Sequence, residues 1–214
     1  MNATVRRLLI LGIGVAAAIL AGTPGLIGGY PQFVMASVAF FSIVVLAVSM
    51  VAGLTGIWSL GHMAFVALGA YLAANLSAIG VPLEVIAVVA FVLSGGLGFV
   101  LGLSAGRFSV LYFGLLTMAL SLAASEVIGH WSEYTGGDEG MPVTPARIFL
   151  LGIPSLGLQG AVVLTIGLAT LSFLLADIVA NGPVGRRWLA VKSQRIASTA
   201  IGLKPQMENA KAFS

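Results

Sequence analysis

Apolar residues fall into six long runs along the chain, separated by short segments that contain glycine, proline or charge. The runs are 8–27, 33–51, 62–79, 83–104, 111–128 and 161–180. Each is close to the about 20 residues that a helix needs to cross the hydrocarbon of a bilayer. The pattern predicts an all-α, polytopic membrane helix bundle of about six transmembrane helices. Because a second apolar run follows the first, we interpret the first as a retained helix and not as a signal peptide.

Basic residues are distributed unevenly among the connections between these runs. With the amino terminus in the cytoplasm, nine of the ten Lys and Arg residues fall on the inner side and only Arg147 on the outer side. The nine are Arg6, Arg7, Arg107, Arg186, Arg187, Lys192, Arg195, Lys204 and Lys211. Since Lys and Arg accumulate in cytoplasmic loops, this distribution predicts a cytoplasmic location for both termini.

A glycine-rich interruption separates the second run from the third. The segment from Gly53 to Tyr71 reads GLTGIWSLGHMAFVALGAY. Backbone groups freed at such a break must find partners in protein or water, so breaks of this kind usually line cavities. We therefore expect a broken-helix segment in a protein that moves a polar solute.

Composition excludes a soluble domain and an enzyme of a familiar kind. Hydrophobic residues make up 59% of the chain and charged residues 8%, with a mean hydropathy of +1.09. The sequence contains no cysteine, no phosphate-binding loop, no paired-histidine metal motif and no serine nucleophile elbow. His62 has no second ligand nearby. We expect no catalytic residue, metal or cofactor, and the lipid bilayer rather than nucleic acid as the surroundings.

Polar side chains within the fifth run form a stripe. Thr117, Ser121 and Ser125 recur at a spacing of four, which places three hydroxyls on one helix face, and Glu126 follows near the outer end. Such stripes usually mediate helix packing. A substrate-lining role is the alternative, because an ionisable residue in a span is costly unless it faces water or a partner.

Two connections are longer than the others. The outer loop, 129–160, contains a turn-rich TGGDEG segment, which is most simply interpreted as a tight exposed turn. The inner segment, 181–206, begins near Pro183, which suits the first turn of a helix. It mixes basic and apolar residues, which is typical either of an interfacial helix that meets lipid headgroups or of a docking element for a cytosolic partner.

Three segments together resemble the permease subunits of branched-chain amino acid ABC importers. They are the segment from Gly53 given above, the run YFGLLTMALSLAASEVIGHWSEYTGGDEGM from Tyr112 and GPVGRRWLAVKSQRIASTAIG from Gly182. The Ser-Leu-Gly-His pattern of the family falls on Ser59 to His62, and its outer Trp and Thr-Gly-Gly-x-acid-Gly pattern falls on Trp131 and on Thr135 to Gly140. The resemblance covers nearly the whole chain.

The resemblance implies partners and roles. In such importers a periplasmic or lipid-anchored substrate-binding protein delivers the amino acid, two homologous permeases form the pathway in the inner membrane, and two ATP-binding cassette subunits hydrolyse ATP. Expected substrate-pathway residues are Ser59, Gly61, His62, Thr117, Ser121 and Glu126. Expected contacts to the binding protein are Trp131, Thr135, Gly136, Gly137, Asp138, Glu139 and Gly140. Expected ATPase-coupling residues are Gly185, Arg186, Arg187, Trp188, Lys192, Arg195 and Gly202.

The chain also departs from the family pattern. Leu122 stands where the fifth helix usually carries an acid, with Glu126 one turn later, and Arg195 stands at a usually acidic position of the coupling segment. The chain ends at Ser214, where the pattern begins another membrane helix, so we expect residues 1–214 to form a single, incomplete permease domain. A permease for urea or short amides remains an alternative, as does a truncated membrane protein that serves assembly and not transport.

Overall fold

The structure is a computed structural model that describes residues 3–23, 29–105, 108, 110–144, 147–148, 157–193, 199, 202 and 204–213. Its elements are the helices α1 (Ala3–Gly22), α2 (Tyr30–Thr55), α3 (His62–Ala78), α4 (Leu83–Ala105), α5 (Val110–His130), α6 (Ser132–Thr135), α7 (Leu158–Asn181), α8 (Pro183–Ser193) and α9 (Pro205–Phe213), with a 3-10 turn at Gly137–Glu139. This architecture confirms the predicted all-α helix bundle.

Each of the six apolar runs lies largely on one helix, namely α1 to α5 and α7. Five of these helices are long and apolar enough to cross a membrane, and α3 is the shorter apolar one. α1 begins five residues before its run, because Arg6 and Arg7 are part of the helix and not of a flanking loop. It ends at Gly22, one residue before Thr23, which precedes a proline and is therefore biased away from helical geometry.

The chain divides into two compact units, the first comprising Met1–Met50 with Leu156–Arg186 and the second Val51–Ser155 with Arg187–Ser214. Small residues let the helices of the first unit approach closely. Ala21, Val162 and Ile166 form its buried centre, against which Ala17, Ala18, Met35, Ala36 and Ala39 pack. Gly14 lies so close to Thr170 that a Cβ on Gly14 would overlap the threonine side chain.

An ion-pair cluster joins α1 to α7 within the first unit. Arg7 Nε donates to Asp177 Oδ2 at 2.9 Å, and Arg6 Nη2 pairs with Asp177 Oδ1. The Asp177 side chain is only 7% exposed, so its charge is balanced by the two guanidinium groups and not by water. Because an acid near the end of an apolar helix is costly without a partner, this cluster explains why α1 includes its two arginines.

The buried centre of the second unit is aromatic and lies where four segments meet. Ile57, Ala105 and Phe113 are buried together, and Phe213 packs against them. The rings of Phe113 and Phe213 meet edge to face, with centroids 5.3 Å apart, a favourable arrangement for aromatic pairs. This cluster fixes the residues just after α2 against α4, α5 and α9.

α9 crosses α4 so closely that the backbones of the two helices are in contact. A Cβ on Gly102 would lie 2.6 Å from Ala210 Cα and 2.8 Å from Asn209 O. Glu208, Asn209 and Ala210 are all buried at this crossing, and Lys211 Nζ donates to Glu208 Oε1 at 3.0 Å. Gly102 thus permits the close helix approach that its position in a glycine-rich helix suggests.

Replacing Gly102 with Ala should destabilise the protein by about 1–3 kcal/mol, since the new methyl group meets backbone atoms that cannot rotate away. Gly96→Ala is the matched control on the same helix, because nothing lies within 4 Å of a Cβ at that position. The control should be neutral or stabilising by up to about 1 kcal/mol. Thermal unfolding of both variants in detergent measures the difference, and equal melting temperatures would contradict the close crossing of α4 and α9.

Candidate functional site

The interruption predicted between the second and third runs is a true helix break, which occupies residues 56–61. α2 ends where Gly56 adopts a left-handed conformation with φ of +73°, and Gly56 N–H donates to Ala52 O at 3.1 Å. This is the common helix termination in which glycine avoids the cost of a Cβ at positive φ. Thr55 Oγ1 donates to Val51 O at 2.7 Å and accepts from Ile57 N–H at 3.3 Å.

Two hydroxyl side chains of α5 hold the break by hydrogen bonds. Leu60 N–H donates to Thr117 Oγ1 at 3.0 Å, and Ser121 Oγ donates to Leu60 O at 3.0 Å. Both backbone groups of Leu60 are therefore satisfied by two side chains one helical turn apart. Thr117 is fully buried, and its hydroxyl also lies within bonding distance of Phe113 O and Gly114 O.

Ser59, Gly61 and His62 lie at the end of the break, where Gly61 packs against α5 and the other two bond within the break. A Cβ on Gly61 would lie 3.2 Å from Thr117 Cβ and 3.3 Å from Thr117 O, so the glycine brings the start of α3 against α5. Gly61 N–H donates to Ser59 Oγ at 3.3 Å, and His62 Nδ1 lies 3.3 Å from Ser59 O. The structure thus brings five of the six predicted pathway residues together.

Residues 57–61 alternate between buried and exposed positions. Ile57, Ser59 and Gly61 are buried, whereas Trp58 and Leu60 are 66% and 57% exposed. This period of two is the pattern of an extended segment with one face against the protein. No prediction from the sequence included these two exposed side chains, although two large apolar residues at alternate positions in a helix break were a usable signal.

Glu126, the sixth predicted pathway residue, lies apart from the break. It occupies the carboxyl-terminal end of α5, where its carboxylate is 3.5 Å from His130 Nδ1 and both side chains are largely exposed.

The predicted outer turn is a compact, glycine-dependent structure. Thr135 Oγ1 lies within hydrogen-bond distance of Ile128 O, at 2.6 Å, and Trp131 O, at 2.8 Å, and it accepts from Gly137 N–H at 3.1 Å. Gly136, Gly137 and Gly140 all have positive φ, and a Cβ on Gly136 would overlap Gly140 O. The simplest interpretation of this segment, a tight turn, therefore describes its geometry well. Asp138 and Glu139 lie on the 3-10 turn.

Asn75, which the sequence analysis did not select, fastens this turn to α3. Its Nδ2 donates to Tyr134 O at 2.9 Å and to Tyr71 O at 2.8 Å. Trp131 and Tyr134 form an exposed edge-to-face pair with centroids 6.2 Å apart. A single amide in an apolar run carries no periodic signal, so only the fold reveals this contact.

The inner segment contains the amphipathic helix α8, which begins at Pro183 as the sequence suggested. Gly185 is packed against α7, since its Cβ would lie 2.5 Å from Val179 O and from Ala180 O. Arg186 and Arg187 are exposed, Trp188 is half-buried, and Lys192 Nζ donates to Gly53 O at 2.8 Å. Gly202 has a φ of +84°. Arg195 lies outside the described residues.

The chemistry that the break offers is hydrogen bonding. Hydroxyls and backbone amides predominate, and among the described residues no group of three His, Cys, Asp or Glu side chains could hold a metal ion. α3 begins at His62, and no side chain of its N-cap residue, Gly61, caps the helix amides. Its first amides can therefore interact with an anionic group.

The comparisons with known proteins agree with this architecture. Residues 30–214 match the family described as branched-chain amino acid transport system / permease component. The chain is 24% identical over 192 residues to the high-affinity branched-chain amino acid transport system permease protein LivM of Escherichia coli. It is 25% identical over 193 residues to the protein of the same name in Salmonella typhimurium.

Each alignment covers 79% of this chain and 45% of the relative, so the chain spans less than half the length of the relatives it matches. No solved structure matches it significantly. The family match begins at the first residue of α2 and includes the helix break, the outer turn and α8. On this match, the chain belongs to the family of permease components of branched-chain amino acid transport systems.

Proposed function

We propose that the chain is a permease subunit of an ATP-driven importer for branched-chain amino acids and forms part of the translocation pathway. The observation that carries the proposal is the helix break of residues 56–61, held by the hydroxyls of Thr117 and Ser121 in a protein of this permease family. A break that neighbouring side chains hold by hydrogen bonds can border a polar pathway without unfolding into the membrane.

The chemistry of the break suits a zwitterionic substrate with an apolar side chain. Uncapped amides at the start of α3 favour a carboxylate, and the exposed side chains of Trp58 and Leu60 offer apolar surface beside it. Both side chains are largely exposed. We infer that a second, homologous permease supplies the facing wall of the pathway.

The predicted outer turn and α8 would bind the other subunits of the transporter. The exposed Trp131–Tyr134 pair, which directly precedes the turn at Thr135 to Gly140, would contact a periplasmic or lipid-anchored substrate-binding protein. Aromatic residues are favoured at such interfaces. On α8, the exposed Arg186 and Arg187 would contact an ATP-binding cassette subunit. The Trp188 indole N–H, by contrast, is buried by the chain itself, so it is not an exposed contact of that kind.

The proposed location is a bacterial inner membrane, with both termini in the cytoplasm. Its support is the partition of basic residues, together with the pairing of Arg6 and Arg7 at the start of α1 with Asp177 at the end of α7. That pairing requires the two helix ends to lie at the same side of the membrane.

Single cysteines introduced at Ser132 and Ser193 test this orientation in a chain that has no cysteine of its own. An impermeant thiol reagent should label Ser132→Cys from the periplasm and Ser193→Cys only after the cytoplasmic face is exposed. The labelled fraction is measured by gel shift in intact cells and in inverted vesicles. Labelling of both positions from one side would overturn the proposed topology.

Uptake into proteoliposomes tests the pathway, with the chain assembled with its cognate permease, ATPase and binding-protein partners. Gly61→Leu should abolish leucine uptake, because the new side chain must enter the space occupied by Thr117, whose Cβ lies 3.2 Å from the position that a Cβ on Gly61 would take. Gly61→Ala should reduce uptake less. Isoleucine and valine should compete with leucine, whereas competition by urea alone would favour an amide permease.

Gly69→Leu is the matched control for Gly61→Leu, since Gly69 lies on α3, which follows the break, and nothing lies within 4 Å of a Cβ on Gly69. The control should retain uptake. Membrane insertion and co-purification of the partners should be unchanged in both variants. Wild-type uptake by Gly61→Leu would contradict the pathway assignment, and absence of uptake by the wild-type complex would contradict the proposed function itself.

A further inference from the structure

Lys192 connects α8 to the end of α2 within the second unit. Its Nζ donates to Gly53 O at 2.8 Å. Its aliphatic stem lies over Gly56, where a Cβ would be 3.1 Å from Lys192 Cγ and 3.4 Å from Cε. The two partners are 139 residues apart in the sequence, so the contact joins the amphipathic inner helix directly to the first residues of the helix break.

The contact supplies a hydrogen-bond donor to a carbonyl at the end of α2. The last carbonyls of a helix have no intrahelical donors, and the left-handed Gly56 supplies only one, to Ala52 O. The next carbonyl, that of Gly53, accepts from the ammonium of Lys192. A cation at this end of a helix is also favoured by the helix dipole. Lys192 therefore acts as a C-terminal cap that comes from another helix.

A series of contacts connects this cap to α5, along the residues of the break. Gly53 and Gly56 are held by Lys192, and Ile57 is buried against Phe113. Leu60, three residues later, is bonded to Thr117 and Ser121 on α5. Displacement of α8 thus bears on the extended segment through its first residues, and its far end is fixed to α5.

We propose that Lys192 is a positioning residue that couples α8 to the helix break, so that movement of α8 by a bound ATPase subunit alters residues 53–61. This inference rests on the proposed function. It assigns Lys192 a role different from that of the docking residues on the same helix. At about 100° per residue, Arg187 lies about 140° around α8 from Lys192, so one face can meet the ATPase while the other meets α2.

The test compares Lys192→Met with Lys192→Arg in the assembled transporter. Met retains an unbranched apolar stem but cannot donate to Gly53 O, whereas Arg can. We expect Lys192→Met to keep ATP hydrolysis and the bound ATPase subunits while leucine uptake per ATP hydrolysed falls roughly tenfold, a factor typical of losing one hydrogen bond to a charged group. Lys192→Arg should restore most of the ratio.

Lys204→Met is the charge-matched control, because Lys204 is an exposed lysine of the same unit that lies outside the break and the docking face. It should transport as the wild type does. If Lys192→Met does not accumulate in the membrane, Lys192→Gln, whose shorter side chain cannot reach Gly53 O, replaces it with the same expected result.

The outcomes separate the two proposals. Absence of uptake by the wild-type complex overturns the proposed function, whereas an unchanged ratio of uptake to hydrolysis in Lys192→Met beside an active wild type overturns only the coupling role. Loss of the ATPase subunits from Lys192→Met during purification would also overturn it, because Lys192 would then be a docking residue.

A distance measurement reports the coupling without relying on uptake. Spin labels at Leu54→Cys and Ser193→Cys, in the cysteine-free background, should keep one distance in the nucleotide-free and ATP-trapped complexes. Adding Lys192→Met should broaden this distance distribution or shift it between the two states. A fixed distance in the presence of Lys192→Met would contradict the inference.

Discussion

The structure depends on how a helix can be interrupted in apolar surroundings without leaving backbone groups unpaired. Each freed amide or carbonyl in hydrocarbon costs several kcal/mol, and here specific side chains supply the partners. Thr117 and Ser121 satisfy Leu60, Ser59 satisfies Gly61, and Lys192 satisfies Gly53. These donors and acceptors come from α5, from the break itself and from α8, so two distant parts of the chain help to specify the break.

This arrangement also accounts for the short length of α3. Its 17 residues rise about 25 Å, less than the about 30 Å of hydrocarbon in a bilayer. The extended residues before it can cover the remaining depth, since they rise about 3.3 Å each. A continuous helix would cover the same distance with a closed, fully bonded backbone, whereas the extended segment presents side chains alternately to the protein and away from it.

Features with a local period could be predicted from the sequence, and features that depend on long-range pairing could not. Hydrophobic runs of about 20 residues predicted the helices, glycine spacing predicted the break, and a spacing of four placed Thr117 and Ser121 on one face of α5. The resemblance to the permease family grouped this face with the break as parts of one pathway, but nothing in the sequence indicated that the two bond directly at Leu60. Nor did the sequence indicate that Asn75 bonds Tyr134 or that Lys192 reaches Gly53. Each of these contacts joins residues more than 50 positions apart, and a lone polar residue in an apolar run has no pattern that names its partner.

The pairing of Arg7 with Asp177 has a consequence for the order of events during synthesis. The two residues are separated by 170 positions, and ribosomes add about 5–20 residues per second, so roughly 10–30 s pass between their appearance. Throughout that interval the arginines of α1 can be balanced only by water and anionic headgroups on the side where they emerge. The acidic partner of the first helix therefore does not exist when that helix is made, and Asp177 can fix the packing of α1 against α7 only after most of the chain has been synthesised.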